Sequence, residues 1–369
     1  MKKKFSFLKF LIITVIFFIS LDFLIGKYIY KKFIRGQFID SDLSINIKDD
    51  VFDHKFKKSY KTDKAGWGAI RFTHCTDANG FRSNCINQFR DTKKFDIGFI
   101  GDSTTEAVGI NYENSFVGII EERLKNKKIA NLAVSSYSPS IYYAKINFLL
   151  SKGYKFNEII VFLDISDIRD DVICYELKGD IVIRRNDLTC LQLVPSINDK
   201  ILASLKRNLR LSFEFYRQIK INLHNLGFIE VPIPYKVLNN PRSDWTHSYN
   251  KKYYRNLNLS QSTNIALQNM RKLSNLLKEE NIDLSVVVYP LPGTLKFDVE
   301  NNKHTKLWDS FCTLNCKTFY NLMTPFFDIM NKEGFSSTYK KVYIKNDVHF
   351  NEEGNRIIAE NFLKLYSKK

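Results

Sequence analysis

Two short segments of the 369-residue chain carry residue types able to do nucleophilic chemistry. The first, Ile97–Ile110, reads IGFIGDSTTEAVGI: an apolar run, then Gly101-Asp102-Ser103, then helix-forming sequence. Glycine permits a tight exit from a strand. Ser103 then falls at a helix start, where backbone N–H groups lack an intrahelical acceptor. A serine there can be a nucleophile whose own N–H stabilises an oxyanion. It can equally be an ordinary helix cap. The second segment, Lys345–Phe362, reads KNDVHFNEEGNRIIAENF and sets Asp347 two residues before His349. A serine nucleophile needs an imidazole to take its proton, and the imidazole needs a carboxylate to fix its tautomer. The chain has five other histidines, His54, His74, His224, His247 and His304. Only His349 combines a nearby acid with the matching upstream serine turn.

Together the two segments resemble the SGNH hydrolase superfamily, the GDSL-like esterases and lipases. The resemblance runs over Phe95–Ile168 and Leu284–Lys369, roughly half of the chain. Gly101-Asp102-Ser103 matches the first block of that family and Asp347-Val348-His349 the last. The Asp-x-His spacing looks like that of membrane-anchored envelope polysaccharide O-acetylation proteins. The G-x-S-x-G elbow of α/β-hydrolases is absent. The resemblance implies a flavodoxin-like three-layer α/β/α sandwich with a parallel sheet, and ester chemistry without a cofactor. In it Ser103 attacks an acyl carbonyl, His349 serves as base and then acid, and Asp347 holds His349. Oxyanion donors would come from the second and third blocks. Here Asn131–Ser136 has Ala133 and Ser136 where glycines would stand, and Asp164-Ile165-Ser166-Asp167 has Ser166 in place of an asparagine. Ser136, through its backbone N–H, and Ser166, through its hydroxyl, are the candidate donors. Loss of one such donor lowers turnover by roughly 10²–10³-fold. The activity implied is a serine esterase or O-acyltransferase acting on an acylated envelope glycan or glycolipid. The altered blocks leave a second reading, a non-catalytic glycan-binding or assembly protein on a degenerate scaffold of this kind.

The elements that must position these residues read as alternating strands and helices. Phe95–Gly101 is a buried strand, followed by a helix over Asn114–Asn126. Lys128–Val134 is a second strand. A helix after Pro139 is stopped by Gly153, and Glu158–Ile165 is a third strand. The rhythm breaks over about 171–260, an insertion holding a basic stretch (Lys206, Arg207, Arg210) and an aromatic patch, Asp244–Tyr254. It resumes with a helix at Ser262–Asn281, a strand at Leu284–Pro290, a helix at Lys303–Leu314, short runs at Thr318–Tyr320 and Lys341–Ile344, and a last helix at Glu352–Tyr366. This alternation implies a parallel sheet covered on both faces. Trp245, Tyr249, Tyr253 and Tyr254 either stack on sugar rings or pack the loop. Asp167, Asp170 and Asp171 form either a metal-binding trio or a solvated acidic turn paired with Arg169. No His/Cys spacing marks a metal site.

Composition bounds the rest. The chain is 44% hydrophobic, enough for a sizeable core, which excludes a disordered or collagen-like protein. The net charge is +17. No zinc-finger spacing, RNA-binding aromatic signature or helix-turn-helix accompanies it, so nucleic acid is not an expected partner. Phe5–Gly26 is the one stretch apolar enough to enter a bilayer, and it is read as an uncleaved membrane anchor within residues 1–35. Basic residues flank both its ends equally, which leaves its orientation open. A stalk and lead-in would follow over 36–94, and the hydrolase-like domain over 95–369. Six cysteines fall into the sequence-local couples Cys75/Cys85, Cys174/Cys190 and Cys312/Cys316. Pairing of these would suit a periplasmic or extracellular domain; unbonded thiols are the alternative.

Overall fold

The computed structural model describes residues 2–29, 44–67, 70–185, 204, 208–225 and 233–368. The chain divides into two compact units, Met1–Ser41 with Gln192–Ile233, and Asp42–Leu191 with Pro234–Lys369.

The second unit holds all the residues singled out for chemistry. Its strands are β1 (Asn46–Asp49), β2 (Asp53–Phe56), β3 (Lys61–Trp67), β4 (Ile70–Thr76), β5 (Arg82–Ser83), β6 (Lys94–Ile100), β7 (Ile129–Asn131), β8 (Lys155–Leu163), β9 (Tyr175–Lys178), β10 (Ile181–Arg184), β11 (Asp283–Val288) and β12 (Thr318–Asn321). Eight of them form one sheet in the order β12-β11-β8-β6-β7-β5-β4-β3. The five strands from β12 to β7 pair in parallel. Numbered among themselves along the chain, they run 2-1-3-4-5 from one edge, the flavodoxin-like order, whose direction of winding reverses between β6 and β8. Two antiparallel hairpins, β1–β2 and β9–β10, stand outside this sheet.

Both faces of the parallel strands are covered by helices. Pro139–Ser151 packs with Leu259–Glu279, and Phe116–Arg123 packs with Glu352–Tyr366. Continuous apolar runs explain the burial: Ile159 to Leu163 in β8 and Val286 to Val288 in β11 are essentially inaccessible. Alternate β residues send rings to one side. Phe99 and Phe162 meet Phe362, and Phe116 stacks on Phe162 at 4.5 Å. On β6 itself Gly98 is closely packed, since a Cβ there would lie 2.7 Å from Ile159 Cδ1.

Three expectations change. The segment 61–94 is no mere lead-in: β3, β4 and β5 extend the main sheet, antiparallel, through the pairing of β5 with β7. The run at Lys341–Ile344 begins in the last two residues of a helix, Phe335–Val342, and only then turns extended at Tyr343. The expected membrane-spanning helix is not borne out, because among the described residues no helix is long and apolar enough to cross a membrane. In the first unit, helix Lys2–Leu21 takes in Lys2, Lys3, Lys4 and Lys9, which leaves Phe10–Leu21 as its uninterrupted run of low charge. Asp22 then caps a second helix of that unit, Arg210–Asn225, by accepting the Leu211 and Ser212 N–H groups at 3.0 and 2.6 Å.

Two of the cysteine couples are disulfides, Cys75–Cys85 and Cys312–Cys316. The third falls on Cys190, outside the described residues.

Candidate active site

The turn after β6 is built by close approach. A Cβ on Gly101 would sit 2.2 Å from Thr105 Oγ1 and 2.9 Å from the Phe162 carbonyl, so only glycine lets β6 turn against β8 here. Asp102 caps the single helical turn Ser103–Glu106, accepting the Thr104 N–H at 2.9 Å. Ala107, at φ +63°, ends that turn. Ser103 is its first residue, so its N–H is among those a helix leaves unpaired.

The last block reaches the same sheet edge from the far end of the chain. Tyr343 bridges to Phe350 and closes a tight loop, with Asn346 in the left-handed region at φ +63°. The Tyr339 hydroxyl braces the Asp347 backbone. Within this loop Asp347 Oδ1 accepts from the His349 N–H at 3.0 Å and pairs with His349 Nδ1. His349 Nε2 lies 2.8 Å from Ser103 Oγ. The structure therefore brings Ser103, His349 and Asp347 into one hydrogen-bonded relay, spanning 246 residues of sequence between serine and histidine.

A fourth member of the relay has no sequence signal. Trp67, at the end of β3, donates its indole N–H to Asp347 Oδ2 at 2.9 Å and sets its ring edge-on to His349, centroids 4.9 Å apart. Both carboxylate oxygens of Asp347 are thus occupied. Burial pushes this carboxyl up, but the hydrogen bonds and charge of His349, with the Trp67 indole, outweigh it and hold the group at about 2. Asp347 is consequently ionised at neutral pH.

Behind the serine lies a group of three buried carboxyls. Oxygens of Asp102, Asp164 and Asp167 all lie within 4.8 Å of one another. The Tyr289 hydroxyl lies 3.4 Å from Asp102 Oδ1 and 3.1 Å from Asp164 Oδ2, so the turn after β8 leans on the turn after β6. Burial, and then the neighbouring Asp164, raise Asp102; burial, and then Asp102 and Asp164, raise Asp167. Burial and like charge thus favour the protonated forms of Asp102 and Asp167. Ser103 Oγ also lies 3.2 Å from Asp102 Oδ2, so its one hydrogen has two acceptors, of which His349 is the nearer.

The acidic turn is not solvated, contrary to the alternative weighed from its composition. Asp167, Asp170 and Asp171 are each at most 2% exposed. The Tyr142 hydroxyl donates to Asp167, and Arg242 forks onto Asp170. Asp171 accepts from Ser138, Ser140 and Asn269. The aromatic patch is packing rather than a wet surface at Trp245 and Tyr254, both buried. Trp245 donates to the Ile165 carbonyl at 2.7 Å and Tyr254 to the Pro241 carbonyl at 2.9 Å.

Ser136 and Ser166 line the same cavity as the relay, a hollow of about 470 Å³. Ser136 sits in the loop after β7 at φ +68°, a conformation that glycine takes freely and serine does not. The loop is nonetheless pinned: Ser135 gives both its N–H and its hydroxyl to Glu106 at 2.6 Å, and His54 Nε2 meets the Ser135 carbonyl at 2.8 Å. Ser166 follows β8, with its N–H donated to Asp164 at 2.7 Å. The site therefore opens between the ends of β6 and β8, at the reversal point of the sheet, where ligands of such folds sit.

No protein-family model and no curated protein sequence matches the chain. Solved structures do resemble it. A member of the lipolytic G-D-S-L family from Veillonella parvula is 11% identical with a TM-score of 0.40, over 74% of this chain and 99% of that one. A catalytic mutant of an acetylxylan esterase from Geobacillus stearothermophilus is 11% identical with a TM-score of 0.38, over 73% and 93%. TesA is 12% identical with a TM-score of 0.37, over 73% and 96%. At these identities and scores the likenesses carry no functional weight; the site's own geometry does.

Proposed function

We propose that the chain is a serine hydrolase or acyltransferase of the SGNH kind, working through an acyl-enzyme on Ser103. The observation that carries this reading is the 2.8 Å approach of Ser103 Oγ to His349 Nε2, with Asp347 on the other ring nitrogen, at the wall of a cavity. In the reaction His349 takes the Ser103 proton as Oγ attacks an acyl carbonyl. Asp347 stabilises the imidazolium so formed. The Ser103 N–H, the Ser136 N–H and the Ser166 hydroxyl are the candidate donors to the oxyanion. His349 then returns the proton to the leaving alcohol. Water or a second hydroxyl completes the cycle by the reverse steps. None of these steps calls on a cofactor.

The substrate class proposed is an O-acylated glycan or glycolipid. An oxidising compartment, outer membrane face or beyond, suits the two disulfides of the second unit. The test is labelling with a fluorophosphonate together with turnover of p-nitrophenyl acetate. Label should attach to Ser103 and vanish in Ser103→Ala, and His349→Ala should lose turnover by at least about 10³-fold. Full label on Ser103→Ala would refute the assignment of the nucleophile. Glycan binding with neither label nor turnover would return the chain to the non-catalytic reading. Glycan ester content measured with and without the protein tests the substrate class, and no change in either direction counts against it.

A further inference from the structure

We propose that Arg242 is a catalytic residue of this site, presenting its Nη1 to the oxygen of the tetrahedral intermediate as an oxyanion donor. The inference deepens the serine-nucleophile reading and rests on it.

Arg242 belongs to the insertion, and its sequence context gives no sign of chemistry. The structure holds it by its inner edge. Nε donates to Asp170 Oδ1 at 3.2 Å, and Nη2 reaches both Asp170 Oδ2 and Ser166 Oγ, the latter at 3.4 Å. Its loop is tied to the turn after β8 by the Trp245 hydrogen bond to the Ile165 carbonyl, and is held within the insertion by the Tyr254 bond to the Pro241 carbonyl. Nη1 has no protein partner among the described residues, and the side chain is 25% exposed where it lines the cavity of Ser103 and His349. Asp170, at 1% exposure, cannot leave. A planar fork fixed along one edge presents the other edge in a set direction.

The charge is felt at the serine turn. Arg242 opposes the rise of the Asp102 carboxyl, the residue that precedes Ser103. Ser166 lies between the guanidinium and the Asp164 turn that Tyr289 ties to Asp102. The short Ser166 hydroxyl accepts from Arg242, so the pair extends the reach of a donor set that a serine alone leaves short.

The experiment compares Arg242→Lys and the double variant Arg242→Ala/Asp170→Asn with the wild type, on p-nitrophenyl acetate and by fluorophosphonate labelling. The double variant removes both charges, so no carboxylate is left buried alone. Its kcat should fall about 10²–10³-fold with KM within about threefold. Its melting temperature should stay near that of the wild type, and tens of millimolar guanidinium should restore part of the kcat. Arg242→Lys keeps the charge without the fork and should retain under a tenth of the activity. A double variant within twofold of wild-type kcat overturns the proposal while leaving the Ser103 reading intact. So does a rise in KM alone, which would make Arg242 a binder of substrate anions. A wild type that neither labels nor turns over fails at the nucleophile itself, and the role of Arg242 falls with it.

Discussion

At the residue scale the acid of the relay is held from two sides, and the two contacts make separable contributions. Removing the indole N–H in Trp67→Phe leaves one oxygen of a mostly buried carboxylate unsatisfied. A hydrogen bond to a charged group is worth about 1.5–3 kcal/mol, and part of this should appear in the transition state. Turnover should fall about tenfold with the fold intact, read as kcat on a chromogenic ester. An unchanged kcat would mean that His349 alone orients Asp347. Ser136 offers the opposite kind of change. A left-handed non-glycine residue costs about 1–2 kcal/mol, against about 0.5–1 kcal/mol for the extra freedom of glycine in the unfolded chain. Ser136→Gly should therefore raise stability by up to about 1.5 kcal/mol in denaturant and leave turnover within twofold, since the backbone N–H stays. Lost activity would assign the role to the hydroxyl instead.

At the element scale the meeting of Ser103 with His349 depends on two strands leaving the sheet side by side. Gly101→Ala would drive a methyl against the Phe162 carbonyl, which is backbone and cannot rotate away. A cost of about 1–3 kcal/mol is expected, measured as a shift in unfolding midpoint, together with reduced labelling of Ser103. A variant as stable as the wild type would show that the two turns are looser than their geometry. This scale was also the most legible. The helix at Glu352–Tyr366 and the strands on either side of Gly101 follow directly from apolar periodicity and their caps. The meeting of Ser103, Asp347 and His349 was readable because each sits in a short motif with its neighbours. Trp67 and Arg242 were not. Trp67 acts on a residue 280 positions away, and a tryptophan before a Gly-Ala pair carries no local mark of such a role. Arg242 lies in a stretch whose composition suggests a wet loop, whereas its position is set by Trp245 bonding to the turn after β8 and by Tyr254 bonding to Pro241. The acidic turn misled for the same reason: charge predicts solvation only until partners from other elements are known.

At the scale of the whole molecule, the carboxyl group behind the serine ties stability to pH. Asp102 is raised to about 7 by burial and by Asp164, against ~3.9 in an unfolded chain. Between those values the native state holds more protons than the unfolded one, so its stability is full below ~4 and declines as pH rises towards 7. The amide of Asp102→Asn carries no titrating proton and should flatten that decline, read from denaturation midpoints between pH 4 and 8. An unaltered slope would place the proton elsewhere in the cluster.

The antiparallel edge has a practical meaning for how such a chain can be shortened or rearranged. A protein trimmed to the parallel strands would keep the serine, the imidazole and their acid, yet lose the β3 tryptophan that steadies that acid from outside. It would also lose His54, which pins the Ser135 carbonyl, so low turnover of such a truncate is no evidence against an enzyme.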